Sequence, residues 1–309
     1  MPFFSIIIPA YNREVLIKKA LDTVLAQTYT DFEVIVVDDA SKDKTADVVA
    51  NYTDARVKLI RQPVNGERGV ARNTGVTAAK GAYICFLDSD DWLEPNHLEN
   101  FYHHLQLLNF PKALLFSNIY LSNGNALKTE RPQPPYTGND IYNYLLRFTF
   151  NPTRVCVHAD IVHELTFDIT IPGLEDLDLW LRIATKYPLV QLHEYTCGYL
   201  EHAGSYTSGD EKRFEKELIN FQTVFNKPEL KQLLPPADKN YLLSKCHYHL
   251  AIIAAEKGDK GKMYNHITKA YTLYPQGYNI NANKTMAVMF LYNIPILGVL
   301  IKNTVRLFK

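Results

Sequence analysis

Residues 83–92 read YICFLDSDDW, an apolar run that ends abruptly in a cluster of aspartates. The same pattern occurs upstream, where FEVIVV at 32–37 ends at Asp38 and Asp39. Short apolar runs without polar alternation are typical of strands that are buried on both faces of a parallel sheet. We therefore predict two buried strands here, each of which carries carboxylates at its carboxyl end.

The segments around these two runs alternate between strand and helix patterns. Further apolar strands are predicted at 4–8 and 57–60. Helical patterns occupy the gaps between the strands, one of them with Ser41 as its N-cap and another over 67–80. Repeated β-α-β units predict an α/β fold with a mainly parallel, Rossmann-like sheet and helices on both faces.

The pattern changes further along the chain. A fifth strand is predicted at 113–117 and an amphipathic helix at 175–186, whereas the chain from about 211 to 273 reads as helices. We therefore predict an α/β domain over 1–209 and a helical C-terminal region over 210–309.

Composition excludes several classes of protein. The 309 residues include 33 basic and 33 acidic side chains and are 47% apolar, which excludes a disordered chain and argues against a nucleic-acid binder with its basic excess. The four cysteines are far apart and form no CxxC pair, so neither a disulfide framework nor a zinc ribbon is indicated. The N-terminus lacks the pattern of a signal peptide, which favours a cytoplasmic location.

The aspartate clusters lie where an open parallel sheet binds its ligands, at the carboxyl ends of the strands. Aspartates can simply end strands and cap helices, but two clusters at one edge repel each other unless a cation or ligand donors offset the repulsion. No GxGxxG or GxxxxGK[ST] motif is present, which disfavours a dinucleotide-binding dehydrogenase or a P-loop enzyme. An anionic nucleotide would need Mg²⁺ or Mn²⁺ at the carboxylates, or the help of Arg72.

Four segments together resemble a known family. They are SIIIPAYNRE at 5–14, FEVIVVDDASKDKT at 32–45, GVARNTGVTAAKGAYICFLDSDDW at 69–92 and GLEDLDLWLRIA at 173–184. In this order they resemble the successive motifs of family 2 glycosyltransferases with the GT-A fold. The resemblance implies a nucleotide-binding half at 1–120 and an acceptor half at 121–209. It also implies transfer of a sugar, with inversion, from a nucleoside diphosphate sugar (UDP is the most common nucleotide in the family) to a saccharide or lipid-linked acceptor.

The same resemblance assigns roles by position. Asp90 would bind the divalent metal as the third residue of the family's DxD motif, and Asp176 would be the catalytic base. Asp39 would accept a hydrogen bond from the nucleobase, and Asp88 would bind the ribose. The complete set of nucleotide-sugar residues that it implies is Pro9, Tyr11, Asp39, Arg72, Asp88, Ser89, Asp90 and His202.

Three other interpretations stay open at this point. An acidic first turn such as Glu175-Asp176 is favoured by the helix dipole alone, without any catalytic role. A sugar-phosphate nucleotidyltransferase would share the sheet topology but would need a glycine-rich basic loop after the first strand, where this chain has PAYNRE. A non-catalytic sugar-nucleotide-binding or scaffold protein is the remaining alternative.

Charge is distributed unevenly along the chain. No acidic residue follows Asp259, and an apolar run occupies 286–301. The basic residues of this stretch are Lys260, Lys262, Lys269, Lys284, Lys302, Arg306 and Lys309. An apolar segment with a cationic flank is typical of chains that dock on anionic membranes. The tail therefore predicts peripheral attachment to the cytoplasmic face of a membrane.

Overall fold

The computed structural model describes residues 1–124, 128–201 and 211–275. The described chain divides into two compact units. The first contains the chain as far as Glu201 together with Lys227–Leu233, and the second contains the helices that lie on either side of that short segment.

The first unit is built on one mixed sheet. Its described strands are β1 (Phe4–Ala10), β2 (Phe32–Asp38), β3 (Val57–Arg61), β4 (Tyr83–Phe86), β5 (Trp92–Leu93), β6 (Leu114–Ser122), β7 (Thr129–Arg131), β8 (Val155–His158) and β9 (Leu189–Leu200). The order across the sheet is β3-β2-β1-β4-β8-β6-β9-β5, with β7 paired to β6.

The first half of the sheet is parallel, as the apolar runs predict. β1 pairs in parallel with β2 and β4, β2 pairs in parallel with β3, and every residue of β1 and β2 is buried. The register sets Ala10 beside Asp38 and Ile7 beside Phe86. The carboxyl ends of β1, β2 and β4 therefore meet at one edge. In the second half, β8 is antiparallel to both β4 and β6.

Helices cover both sides of this sheet, which confirms the predicted fold class. In the first unit they are α1 (Ile17–Leu25), α2 (Thr45–Ala50), α3 (Glu67–Ala78), α4 (His97–Leu107), α5 (Ile141–Arg147), α6 (Ala159–Glu164) and α7 (Glu175–Ala184). The predicted N-cap at Ser41 is wrong, because α2 begins only at Thr45. The Ser41 hydroxyl instead accepts from the backbone N–H of Asn12 at 2.9 Å and so joins two loops.

The second unit is helical over its described residues. It contains α8 (Glu211–Phe225), α9 (Pro236–Glu256) and α10 (Lys260–Leu273), and α9 packs against both of the others. None of the helices within the described ranges is long and apolar enough to span a bilayer. The predicted membrane-docking tail, with its apolar run at 286–301, lies outside the described residues.

A close contact between α3 and β1 sets the position of the helix that carries Arg72. A Cβ on Gly75 would lie 2.4 Å from Cγ2 of Ile7, which is closer than two non-bonded carbon atoms can approach. Gly69 lies on the same helix, and a Cβ there would meet its nearest neighbour, Cγ of Glu175, at an ordinary 3.7 Å. Only glycine at position 75 therefore lets α3 approach the sheet this closely.

We expect Gly75→Ala to lower the free energy of unfolding by about 1–3 kcal/mol, the usual cost of overpacking a core. Gly69→Ala is the matched control on the same helix and should raise stability by about 0.5–1 kcal/mol, because alanine loses less backbone entropy. Urea denaturation followed by circular dichroism measures both. Equal stability of the two variants would show that α3 does not need the close approach.

Candidate active site

The loops that follow β1 and β2 are joined at the edge of the sheet. The N–H of Asp39 donates to the carbonyl of Ala10 at 2.8 Å, which places Asp39 beside the end of β1, where Pro9 is buried and Tyr11 is exposed. The Asp39 carboxylate is also buried and accepts from the N–H of Gly66 at 2.9 Å. Burial raises the pKa of Asp39, and the backbone donors oppose this only in part.

Three of the six non-glycine residues with positive φ in the described chain lie at the same edge. Asn12, Ala40 and Glu67 all have φ between 52° and 67°, a backbone region that residues other than glycine rarely adopt. The three residues lie in the loop after β1, in the loop after β2 and at the start of α3. Strained non-glycine residues cluster at functional sites, because the surrounding structure must hold them in place.

Arg72 joins this edge to α7. Its guanidinium is 1% exposed. Nη2 donates to Oδ1 of Asp88 at 2.7 Å, and Nη1 donates to Oε1 of Glu175 at 3.1 Å. Burial lowers the pKa of Arg72, but the two carboxylates outweigh burial and raise it. One buried cation on α3 therefore holds together the end of β4 and the start of α7.

The aspartate cluster after β4 divides into inward and outward side chains. Asp91 is buried and accepts from the Thr153 hydroxyl at 2.8 Å and from the N–H of Leu200 at 3.2 Å. Burial, with Asp88 and Asp90 nearby, raises the pKa of Asp91 well above its usual range. The side chains of Asp88 and Asp90 are 24% and 18% exposed. Asp91 thus anchors the loop, whereas the Asp88 and Asp90 carboxylates are partly open to solvent.

The solvent-facing carboxylates fit a divalent cation that a ligand helps to hold. Within the described residues there is no group of three or more histidine, cysteine or acidic side chains arranged to bind a metal. Mg²⁺ needs no such group, since it is usually held by one or two carboxylates together with substrate phosphates and water. Asp90 is a carboxylate of this kind, whereas Oδ1 of Asp88 already accepts from the Arg72 guanidinium. The Arg13 guanidinium lies 3.6 Å from Oδ2 of Asp90 and partly offsets its charge.

Asp176 differs from the other two acidic residues in the first turn of α7. Glu175 and Asp178 each form ion pairs, whereas no basic side chain in the described part of the chain pairs with Asp176. Its Oδ1 accepts from the N–H of Leu177 at 2.7 Å. Burial and the neighbouring Glu175 raise the pKa of Asp176 to about 7, although Arg72 opposes them. A carboxylate of this pKa is well matched to accept a proton near neutral pH.

The structure brings most of the residues that the sequence singled out to one edge of the sheet. Pro9, Tyr11 and Asp39 lie at the joined loops after β1 and β2, and Arg72 connects Asp88 to the turn that carries Asp176. Ser89 is buried beside Asp88 and Asp90. His202 lies outside the described residues.

Two residues with a part in this arrangement were missed by the sequence reasoning. Thr153 is buried in a short 3-10 turn (Pro152–Arg154), where it donates to Asp91 and accepts from the N–H of Asp88. No motif surrounds it, so nothing in the sequence pointed to it. Arg13 belongs to PAYNRE, and a basic residue directly after a strand end was the signal that could have found it.

Comparison with known proteins agrees with this geometry. The family model described as glycosyl transferase family 2 matches residues 5–161. The chain belongs to this family. It is therefore a glycosyltransferase, and the matched region contains the joined loops, Arg72 and the aspartate cluster.

Several relatives of this glycosyltransferase are similar over the same region. An uncharacterized glycosyltransferase of Methanocaldococcus jannaschii is 31% identical over 207 residues, which are 64% of this chain and 70% of that protein. A protein named as a colanic acid biosynthesis glycosyl transferase, WcaA of Escherichia coli, is 29% identical over 203 residues, 60% of this chain and 67% of that one. An uncharacterized glycosyltransferase of Rickettsia bellii is 36% identical over 59% of this chain, but the match spans only 27% of that longer protein.

Two solved structures share the fold. TarS of S. aureus in complex with UDP-GlcNAc has a TM-score of 0.63 and 20% identity, with 89% of this chain and 82% of that one covered. The mannosyltransferase PcManGT of Pyrobaculum calidifontis in complex with GDP-Man and Mn²⁺ has a TM-score of 0.60 and 21% identity, with 98% and 87% covered. At these identities the likeness shows the fold alone.

The raised pKa of Asp176 predicts how stability changes with pH. The folded protein keeps this proton up to about pH 7, whereas the unfolded chain loses it near the ordinary value of 3.8. The folded state therefore binds more protons between these values, and stability falls as pH rises through that window. We expect Asp176→Asn to unfold at higher urea than wild type at pH 8 and at equal urea near pH 4.

Asp168→Asn is the control of opposite sign. The Lys227 ion pair and Thr170 outweigh burial and lower the pKa of Asp168 to about 2, so its contribution to stability is lost only as pH falls toward that value. We expect Asp168→Asn to be less stable than wild type at pH 7. An Asp176→Asn variant that is destabilised at pH 8 would contradict the raised pKa.

Proposed function

We propose that this glycosyltransferase moves a sugar from a nucleoside diphosphate sugar to a saccharide or lipid-linked acceptor, with inversion and with Asp176 as the base. The observation that carries the proposal is the first turn of α7. Asp176 in this turn has a pKa of about 7. Its neighbour Glu175 is joined through Arg72 to Asp88 of the aspartate cluster. A proton acceptor and an outward-facing acidic edge thus occur in one site.

The proposal of a nucleoside diphosphate sugar as donor is supported by the aspartates at the edge of the sheet and by two solved structures with the same fold. TarS is described with UDP-GlcNAc and PcManGT with GDP-Man, so both are structures of proteins with a nucleoside diphosphate sugar. In this chain, Pro9, Tyr11 and Asp39 are proposed to line the base pocket and Asp88 to bind the ribose. Arg72, Ser89 and His202 are proposed to complete the donor site. We take UDP as the nucleotide, in line with the family resemblance.

The cofactor proposal is Mg²⁺ or Mn²⁺ with Asp90 as its ligand. When bound, such an ion stabilises the negative charge that develops on the departing diphosphate. Asp90 is suited to hold it because its carboxylate lies 18% exposed at the end of β4, next to the loops proposed to hold the nucleotide. Thr153 and Asp91 keep this loop in place through their buried hydrogen bonds.

The transfer itself needs only one proton acceptor. The acceptor hydroxyl oxygen attacks the anomeric carbon and forms the new glycosidic bond, while the bond from that carbon to the diphosphate oxygen breaks. Asp176 takes the proton of the attacking hydroxyl. A single displacement inverts the configuration, so no second carboxylate nucleophile is required. Asp176 is the better candidate of the pair, because the Glu175 carboxylate already forms ion pairs with Arg72 and Arg68.

The alternatives fit the structure less well. A nucleotidyltransferase is disfavoured by membership of glycosyl transferase family 2. A carboxyl group with a raised pKa, such as Asp176, lowers stability at neutral pH. A scaffold protein has no need to keep such a group, whereas a catalyst uses it as a base. We therefore propose catalysis, with the donor bound by 1–120, the acceptor by 121–209 and the helical region 210–309 as an addition to this domain.

Asp176→Asn is expected to bind a UDP-sugar with Mn²⁺ as wild type does and to transfer sugar about 10²–10⁴-fold more slowly, the usual effect of removing a general base. Asp90→Asn is the matched variant: it should lose Mn²⁺-dependent donor binding. Isothermal titration measures binding, and release of UDP measures turnover. Wild-type rates in Asp176→Asn would place the base elsewhere, with Glu175 the first candidate.

The basic, apolar tail is proposed to dock on an anionic membrane at the cytoplasmic face, which would bring the site close to a lipid-linked acceptor. Cationic residues near such a surface each add about 1 kcal/mol of attraction that salt weakens. The full chain should sediment with phosphatidylserine vesicles at low salt, and a chain that ends at Asn283 should not. If both sediment equally, or neither does, the tail is not the membrane contact.

A further inference from the structure

A buried carboxylate in the first turn of α7 is held by two cations. Asp178 is 0% exposed. Its Oδ2 accepts from Nε of Arg182 at 2.8 Å, and its Oδ1 lies 2.6 Å from Nζ of Lys227. Each oxygen of this fully buried carboxylate therefore lies beside a cation, although Oδ1 accepts no hydrogen bond from the described residues and depends on the charge of Lys227 alone. Removal of one such partner strongly destabilises the fold, because the cost of removing the carboxylate from water is no longer offset.

The second cation comes from far along the chain. Lys227 opens Lys227–Leu233, the short segment that belongs to the first unit although the helices before and after it do not. Leu230 in this segment is 0% exposed and fixes it in the core. Nζ of Lys227 also binds Oδ2 of Asp168 at 2.7 Å, in the loop that precedes α7. One ammonium group thus joins the helix to the loop that leads into it.

The position of Asp178 matters because of the residues beside it. An α-helix turns about 100° per residue, so Glu175 and Asp178, three positions apart, lie on the same side. Arg72 holds Glu175, and Lys227 with Arg182 holds Asp178. Asp176 lies between these two anchored residues and projects in a different direction. The rotation of the first turn about the helix axis, and with it the direction of Asp176, is therefore fixed by ion pairs at two positions, Glu175 and Asp178.

We propose that Lys227 is a positioning residue for the catalytic base, a role that rests on the function proposed above for Asp176. Through Asp178, its ammonium group holds the first turn of α7 in the rotation that points the Asp176 carboxylate at the acceptor hydroxyl. The family model ends at residue 161, so neither this residue nor its segment belongs to the region that the model matches. A misplacement of about 1 Å in a catalytic group costs as much as 10²-fold in rate.

The test compares Lys227→Met with Lys227→Arg and Asp168→Asn. Lys227→Met removes the charge, and we expect kcat to fall about 10-fold or more while KM for the donor stays within about twofold, because donor residues are untouched. Backbone amides of 175–179 should exchange hydrogen faster in this variant. Lys227→Arg keeps a cation beside Asp178 and should restore most of kcat. Asp168→Asn lowers stability but leaves the pairing with Asp178, so its kcat should match wild type.

A purely structural role for Lys227 gives a different pattern. In that case kcat of folded Lys227→Met stays within about twofold of wild type, or Asp168→Asn loses as much activity as Lys227→Met, and either result overturns the proposal. If Lys227→Met does not fold, Lys227→Gln is judged by the same criteria. If the wild-type protein transfers no sugar, the proposed function fails, and amide exchange at 175–179 still decides whether Lys227 holds this turn.

Discussion

The buried guanidinium of Arg72 is the interaction on which the rest of the site depends. A cation that is 1% exposed is stable only if carboxylates compensate for its lost hydration, and Arg72 has one on each side, Asp88 and Glu175. These partners come from different parts of the chain, since Glu175 is 103 residues from Arg72. Burying this one group therefore forces α3, the end of β4 and the start of α7 to meet.

The same compensation explains the electrostatics of the first turn of α7. Three acidic residues begin this helix, and two of them, Glu175 and Asp178, form ion pairs with buried or nearly buried cations. The pKa of the third, Asp176, is left to burial and to the charge of Glu175, which raise it to about 7. A raised carboxyl pKa costs stability at neutral pH, and such costs are characteristic of functional sites. The ion pairs of Glu175 and Asp178 thus fix the turn that carries Asp176, the residue proposed as the base.

Much of this could be predicted from the sequence where the signal is local. The apolar runs of β1, β2 and β4 indicated a parallel sheet, and the aspartates at their ends indicated an acidic edge because parallel strands end on the same side. What could not be predicted depends on long-range pairing. The short strand β8 carries too little pattern to show that it inserts antiparallel between β4 and β6. Nothing near Lys227 in the sequence indicates that its ammonium group reaches Asp178.

The most direct measurement of the role of Asp176 is the pH dependence of kcat for the wild-type enzyme with a UDP-sugar and Mn²⁺, followed as UDP release. A base with the pKa of Asp176 predicts that kcat rises with pH, with an apparent pKa near 7, and levels off above it. A kcat that is constant from about pH 5 to pH 9, as an ordinary exposed carboxylate would give, would contradict Asp176 as the base.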